Sequence, residues 1–135
     1  MKSISFENLR VYQAAEKLAD EIWSIVQKWS ILARDTVGKQ IVRSADSIGA
    51  NIAEGSGRGS YQDNRRFVRI ARGSLYETRH WLRRAFKRKL LDAMQIESLK
   101  PLVDCLGPML NAYLRSIGKL KKENTSTETP RPDNQ

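Results

Sequence analysis

The chain has almost no cysteine or histidine: one of each in 135 residues. Cys105 alone forms no intrachain disulfide framework. With His80 it makes no set of thiolate or imidazole ligands for a metal. Cys105 reads as a small apolar helix residue, compatible with a reducing cytoplasm. No apolar run approaches the ~20 residues needed to span a bilayer. The opening Met1-Lys2-Ser3-Ile4-Ser5-Phe6-Glu7 lacks the apolar centre of a secretory signal. These gaps predict a cytoplasmic protein with no membrane partner. Sustained two-residue alternation is also missing, so no strand is predicted. The one glycine-rich run, Gly55-Ser56-Gly57-Arg58-Gly59, follows no strand and lacks the spacing of a phosphate-binding loop. It reads as a helix stop whose glycines supply left-handed caps.

Basic charge, by contrast, is plentiful and uneven. The formal net charge is +9 with a pI near 10.0. Between Arg58 and Lys89 there are eleven basic residues and only two acids, Asp63 and Glu77, so this stretch carries the whole net charge. Such a balance favours polyanionic partners, nucleic acid first. A hydrophobic content of 40% with 29% charged residues fits one soluble domain large enough to bury a core.

Four amphipathic segments follow from the three- and four-residue spacing of apolar positions. The first carries Leu9, Tyr12, Ala15, Leu18, Ala19, Ile22, Ile25, Val26 and Trp29, with Ser5 or Asn8 as its cap. Ser30–Asp35 reads as a connection. A second helix starts near Thr36 and aligns Val37, Ile41, Ala45, Ile48 and Ile52. Ser60 caps a third helix running to about Leu90, with Asp63 as part of a capping box. Asp92 caps a fourth, roughly Met94 to Leu120, which Pro108 should bend or split at Gly107. The predicted fold is all-α, an antiparallel up-down-up-down four-helix bundle over residues 1–120. Residues 121–135 read as a disordered polar tail.

At 100° per residue the third helix sorts sharply. Phe67, Ile70, Ala71, Ser74, Leu75, Thr78, Trp81, Leu82, Ala85 and Phe86 share the arc predicted to face the core. Arg65, Arg69, Arg72, Arg79, Arg83 and Lys87 cluster opposite with Tyr76 among them, and Arg66 and Arg84 lie on a third line beside Gly73 and His80. Solvated faces usually interleave signs, because like charges one turn apart repel by a few tenths of a kcal/mol. This face does not, so it calls for an external counter-charge. Arginine suits bidentate phosphate contact, and Tyr76 and Tyr61 suit stacking on unpaired bases. The candidate nucleic-acid contacts are therefore Arg65, Arg66, Arg69, Arg72, Tyr76, Arg79, Arg83, Arg84, Lys87 and Arg88, with RNA favoured. Arg43, Asn51, Glu54, Arg58 and Glu77 are expected to form a structural polar network. His80 has no recognisable nucleophile and carboxylate about it. No catalytic residue, metal or cofactor is predicted, and the chain reads as a non-enzyme.

Three stretches carry a family resemblance. They are Phe6-x-x-Leu9-x-Val11-Tyr12-x-x-Ala15, the long run from Gln40 to Arg58 containing Ser47-Ile48-Gly49-Ala50-Asn51-Ile52-Ala53-Glu54-Gly55, and Phe67-x-x-Ile70-Ala71-Arg72-Gly73-Ser74-Leu75-x-Glu77. Together they resemble the four-helix-bundle family named for the 23S rRNA intervening sequence, also called S23 ribosomal protein, over about Phe6 to Ile117. The resemblance implies a bundle assembled into a ring-like homopentamer and no catalytic residues. The family is similar to the accessory variability determinant proteins of diversity-generating retroelements, which bind nucleic acid and a reverse transcriptase. The basic run Trp81-Leu82-Arg83-Arg84-Ala85-Phe86-Lys87-Arg88 departs from the more neutral intervening-sequence members and leans toward that branch. The alternative is a structural protein whose basic face docks an acidic protein or a neighbouring subunit.

Overall fold

The computed structural model describes residues 5–119. The predicted tail at 121–135 lies outside them. Among the described residues there are four helices and no strands. After a 3-10 turn at Phe6–Asn8, α1 spans Arg10–Val26. The next helix, α2, is assembled from a helical turn at Ile31–Ala33, a π-helical stretch at Arg34–Gly38 and the long segment Lys39–Ser56. Tyr61–Lys87 forms α3 and Ala93–Ser116 forms α4.

Neither Ser5 nor Asn8 caps α1. Leu9 holds the cap position without a side-chain hydrogen bond, and the Ser5 hydroxyl donates to the Glu7 carboxylate instead. Packing explains the break. Phe6 turns back edge-on to the Tyr12 ring at 4.9 Å, which needs the tighter 3-10 turn before the helix. Of Ser30–Asp35, predicted as a connection, the residues from Ile31 onward are already helical, with Ser30 as their cap. The Ser30 hydroxyl accepts the Ala33 N–H at 3.4 Å. Ile31 and Leu32 are exposed, so no periodic apolar signal announced this turn. The π stretch ends on buried Gly38, where a Cβ would lie 2.7 Å from Val26 Cγ1. The absence of a side chain there lets α2 close against the end of α1.

Each of the five predicted α2 stripe residues is buried: Val37, Ile41, Ala45, Ile48 and Ile52. They meet Ala15, Leu18 and Ile22 of α1, and Val68, Ala71, Leu75 and Ala85 of α3, in one core. The most extensive helix packing is α2 on α3. Small residues make that approach close. Thr78, fully buried, donates to Ser44 Oγ at 2.9 Å, with the Ser74 carbonyl oxygen also within reach at 2.8 Å. Ser47 and Ser74 hydroxyls share a hydrogen bond of 2.9 Å, and Asn51 Nδ2 donates to the Ser47 carbonyl at 2.8 Å. A Cβ on Gly55 would fall 2.8 Å from Phe67 Cβ, so no larger residue fits without movement there.

That glycine acts through space and not through a left-handed cap. Gly57, at the end of α2, has φ −87°. Among the described residues the left-handed positions are Lys89 (φ 61°) and Gly118 (φ 83°). Lys89 closes α3: its N–H bonds the Phe86 carbonyl at 3.0 Å while the Leu90 N–H reaches back to Ala85 at 2.9 Å, the paired bonds of a Schellman motif. Ser60 and Asp92 cap as predicted, but the Asp63 carboxylate faces Arg66 at 3.9 Å in place of closing the predicted box with Ser60. The Ser60 hydroxyl accepts the Asp63 N–H at 3.1 Å, and Asp92 forms a reciprocal box with Gln95. The predicted split at Gly107 does not occur, since α4 continues through both Pro101 and Pro108. Leu106 and Leu110 on either side of Pro108 are fully buried and hold the helix to the core.

Candidate nucleic-acid interface

The wheel of α3 places its core slightly differently from the prediction. Val68 is buried, whereas Ile70 and Phe86, expected in the core, are exposed at 42% and 53%. Val68 and Phe86 are eighteen residues apart and share one line of the wheel, so Phe86 is exposed by its place at the end of α3 and not by its angle. The displaced apolar pair lies on the surface beside the basic residues.

The predicted basic ridge divides into three groups. Arg65 and Arg72 are half-buried and turn onto α4. Arg65 Nη1 donates to the Ile117 carbonyl at 3.0 Å, and Arg72 Nη1 to Asn111 Oδ1 at 2.9 Å. Both fasten α3 to α4, and the Arg65 contact also answers a carbonyl beyond the last turn of α4. Arg66 lies with its guanidinium 4.6 Å from the Phe67 ring centroid and 3.9 Å from the Asp63 carboxylate. Arg84 is half-buried. That leaves Arg69, Arg79, Arg83, Lys87 and Arg88 on the exposed side. Among the described residues, none of these five has a carboxylate within ion-pair distance; the ion pairs there are Arg34–Asp35, Arg58–Glu54, Arg66–Asp63 and Lys100–Asp104. Tyr76 stands among the five, 62% exposed, with the Arg79 guanidinium 5.8 Å from its ring centroid. Tyr61 is packed beside Gly118, at the other end of the helix from Phe86.

The expected polar network of Arg43, Asn51, Glu54, Arg58 and Glu77 is distributed over separate contacts. Asn51 bonds back to Ser47 within α2. Glu54 and Arg58 form an exposed pair at 3.5 Å. Glu77 accepts the indole N–H of Trp81 at 3.1 Å. Arg43 is exposed, with no ion pair among the described residues. These hydrogen bonds and the ion pair join residues four apart, the nearest neighbours on a helical surface, and Arg58, just past the end of α2, also places its guanidinium 5.0 Å from the Phe67 ring centroid of α3. His80 is exposed and lies edge-on to Trp81 at 4.8 Å. Among the described residues no three of the His, Cys, Asp and Glu side chains are grouped to hold a metal ion. No helix there is long and apolar enough to cross a membrane.

Acidic groups gather elsewhere. Burial, then the nearby Asp20 carboxylate, raises the Asp46 carboxyl above its ordinary range. Burial first, then the charge and hydrogen bond of Glu16 and the charges of Glu7 and Asp20, raises the Tyr12 phenol. Glu7, Glu16, Asp20 and Asp46 thus lie near one another on α1 and α2, and the uncompensated arginines occupy α3.

The sequence matches the family model of the 23S rRNA-intervening sequence protein over residues 7–112. The chain belongs to that family. Among solved structures, the intervening-sequence fold here is similar to a protein of unknown function from the S23 ribosomal protein family of Bacteroides thetaiotaomicron. The two share 24% identity at a TM-score of 0.69, over 78% of this chain and 99% of the other. At that identity the likeness speaks for the fold. No curated protein matches the chain.

The exposure of Phe86 and Ile70 was missed at the sequence level. Phe86 is followed directly by Lys87 and Arg88, both exposed, and that adjacency was the available signal. Its wheel position alone pointed inward.

Proposed function

We propose that this intervening-sequence protein is a non-enzymatic nucleic-acid-binding protein that uses the outward face of α3, with RNA the favoured ligand. One observation carries the reading: Arg69, Arg79, Arg83, Lys87 and Arg88 are exposed together without acidic partners among the described residues. Like charges at one- and two-turn spacing repel, and phosphates relieve that repulsion while releasing condensed counterions. Guanidinium groups pair with phosphate oxygens in a bidentate fork, which suits this role better than ammonium groups do.

The finer parts of the proposal concern assembly and partner. The helices run antiparallel, a reading supported by Ser44 meeting Thr78, Ser47 meeting Ser74 and Gly55 meeting Phe67 as the chain descends one helix and climbs the next. Five copies form a ring that repeats the cationic face and multiplies its affinity. The protein acts beside a reverse transcriptase as a retroelement accessory factor, a reading supported by the basic surface run Arg83, Lys87 and Arg88. A second reading has its own support. The acidic flank of Glu16, Asp20 and Asp46 is complementary to the ridge, so a neighbouring copy or an acidic protein would dock there.

The test is Arg69→Glu, Arg79→Glu and Arg83→Glu combined, leaving Arg65 and Arg72 to hold α4. RNA affinity of the unaltered protein should fall with salt at a log–log slope of roughly −4. The triple variant should lose binding while retaining its helical circular dichroism. Unchanged RNA affinity with an altered mass in sedimentation supports the docking reading and overturns nucleic-acid binding by this face.

A further inference from the structure

The α3 face, if it takes nucleic acid as proposed above, has two features that bear on which form. The first is Tyr76. Its ring is 62% exposed in the middle of the arginines. Arg69 and Arg83 lie two turns before and after it, about 10.5 Å away along the axis at 1.5 Å per residue. The adjacent Gly73 has no neighbouring atom within 4 Å of where its Cβ would be, so the surface beside the ring is open. An exposed ring bounded by cations offers one flat apolar face and phosphate ligands on either side of it.

The second feature is the placement of α3 between its neighbours. The B-form major groove is about 12 Å wide and about 8.5 Å deep, while a helix with its side chains is about 10–12 Å across. A helix enters that groove only when it stands clear of its scaffold. Here α2 is drawn close along one side through Gly55, Ser47 and Ser44. On the other side α4 is tied on through Arg65 and Arg72. Packed helices lie about 8–10 Å axis to axis, so α2 and α4 flank α3 and limit how far it can enter a groove of that width. The A-form RNA major groove is narrower still and closed to side chains. A duplex would touch only the arginines, and its stacked bases would present no face to Tyr76.

We infer that the α3 ridge selects unpaired, single-stranded nucleic acid, with a base stacked on Tyr76 and flanking phosphates held by Arg69, Arg79 and Arg83. Tyr76 supplies the preference for unpaired strands; the arginines supply attraction common to all forms. Stacking on one aromatic side chain is sequence-tolerant, because every base has a π face.

The experiment measures binding of the full chain to a fluorescein-labelled 20-nucleotide RNA without self-complementarity, alone and annealed to its complement, at physiological salt. The single strand should bind at least about tenfold more tightly than the duplex, the scale of one base–aromatic stack. Tyr76→Ala should weaken the single strand by about 5- to 100-fold and leave the duplex unchanged, whereas Tyr76→Phe should retain the preference. Circular dichroism checks that the exposed substitution leaves the helices intact. Equal or tighter duplex binding, or no loss on the single strand with Tyr76→Ala, overturns the inference while nucleic-acid binding stands. Binding of neither RNA overturns both.

Discussion

Lys89 occupies a position that usually belongs to glycine. It ends α3 with φ 61°, held there by the Lys89-to-Phe86 and Leu90-to-Ala85 bonds. For a residue with a Cβ this conformation costs roughly 1–2 kcal/mol. Glycine avoids the clash but loses more backbone freedom on folding, offsetting roughly 0.5–1 kcal/mol. Lys89→Gly should therefore stabilise the protein by about 0.5–1 kcal/mol. For a domain of this size that corresponds to a rise in melting temperature of about 2–6 °C. Charge is the confounding factor. Lys89 sits at the negative end of the α3 dipole, which favours a cation by about 0.3–1 kcal/mol, yet Lys87 and Arg88 beside it oppose that gain. Lys89→Ala separates the two effects, since it removes the charge and keeps the Cβ. Thermal unfolding followed by circular dichroism at a fixed protein concentration should rank Lys89→Gly above both the parent and Lys89→Ala. Equal stability of the glycine and alanine variants would refute the backbone argument and leave charge as the cause.

Two further outcomes follow from the packing and the acidic flank. Gly38→Ala should destabilise the protein by about 1–3 kcal/mol in urea unfolding, as overpacking does, because the new Cβ would meet Val26 Cγ1 at 2.7 Å and the Ala33 carbonyl at 3.2 Å. Asp46→Asn should stabilise at neutral pH by less than about 1 kcal/mol, given how exposed this carboxylate pair is. Its pKa is raised in the fold above the ordinary 3.8, by burial and then by Asp20. The folded state therefore binds the proton more tightly than the unfolded chain does. The penalty of the charged form is present above the folded pKa and is relieved as pH falls through it. The difference between variant and parent should shrink from pH 7 to pH 4, and a difference that grew on acidification would contradict the assignment.

The helix interiors were legible because their physics is local. The stripe from Val37 to Ile52 needs only a 3.6-residue period, and the caps at Ser60 and Asp92 need only a short side chain next to unpaired N–H groups. Features that depend on a neighbour were not legible. Arg65 and Arg72 look like ridge residues on an isolated wheel, but they sit where long side chains can reach across to α4. Which helix flanks α3 on that side is a property of the assembled fold. The same holds for Gly55, whose value lies in the Phe67 Cβ it lets approach and not in its own torsion angles. The helical turn at Ile31 was hidden because its two large side chains face outward. The candidate site was visible as a charge pattern; its division into arginines that hold α4 and arginines left outward was not.

The hydroxyls between α2 and α3 have a consequence for the surface above them. Apolar contacts tolerate sliding, since one methyl group replaces another at little cost. Ser44, Ser47, Ser74 and Thr78 do not, because their partners coincide in a single alignment. A slip of one turn would break both bonds that cross between the helices, Thr78 to Ser44 and Ser47 to Ser74, at about 0.5–1.5 kcal/mol each. The row works like the teeth of a rack, indexing α3 against α2. What it indexes on the far side of the same helix is the height at which Arg69, Tyr76 and Arg83 stand.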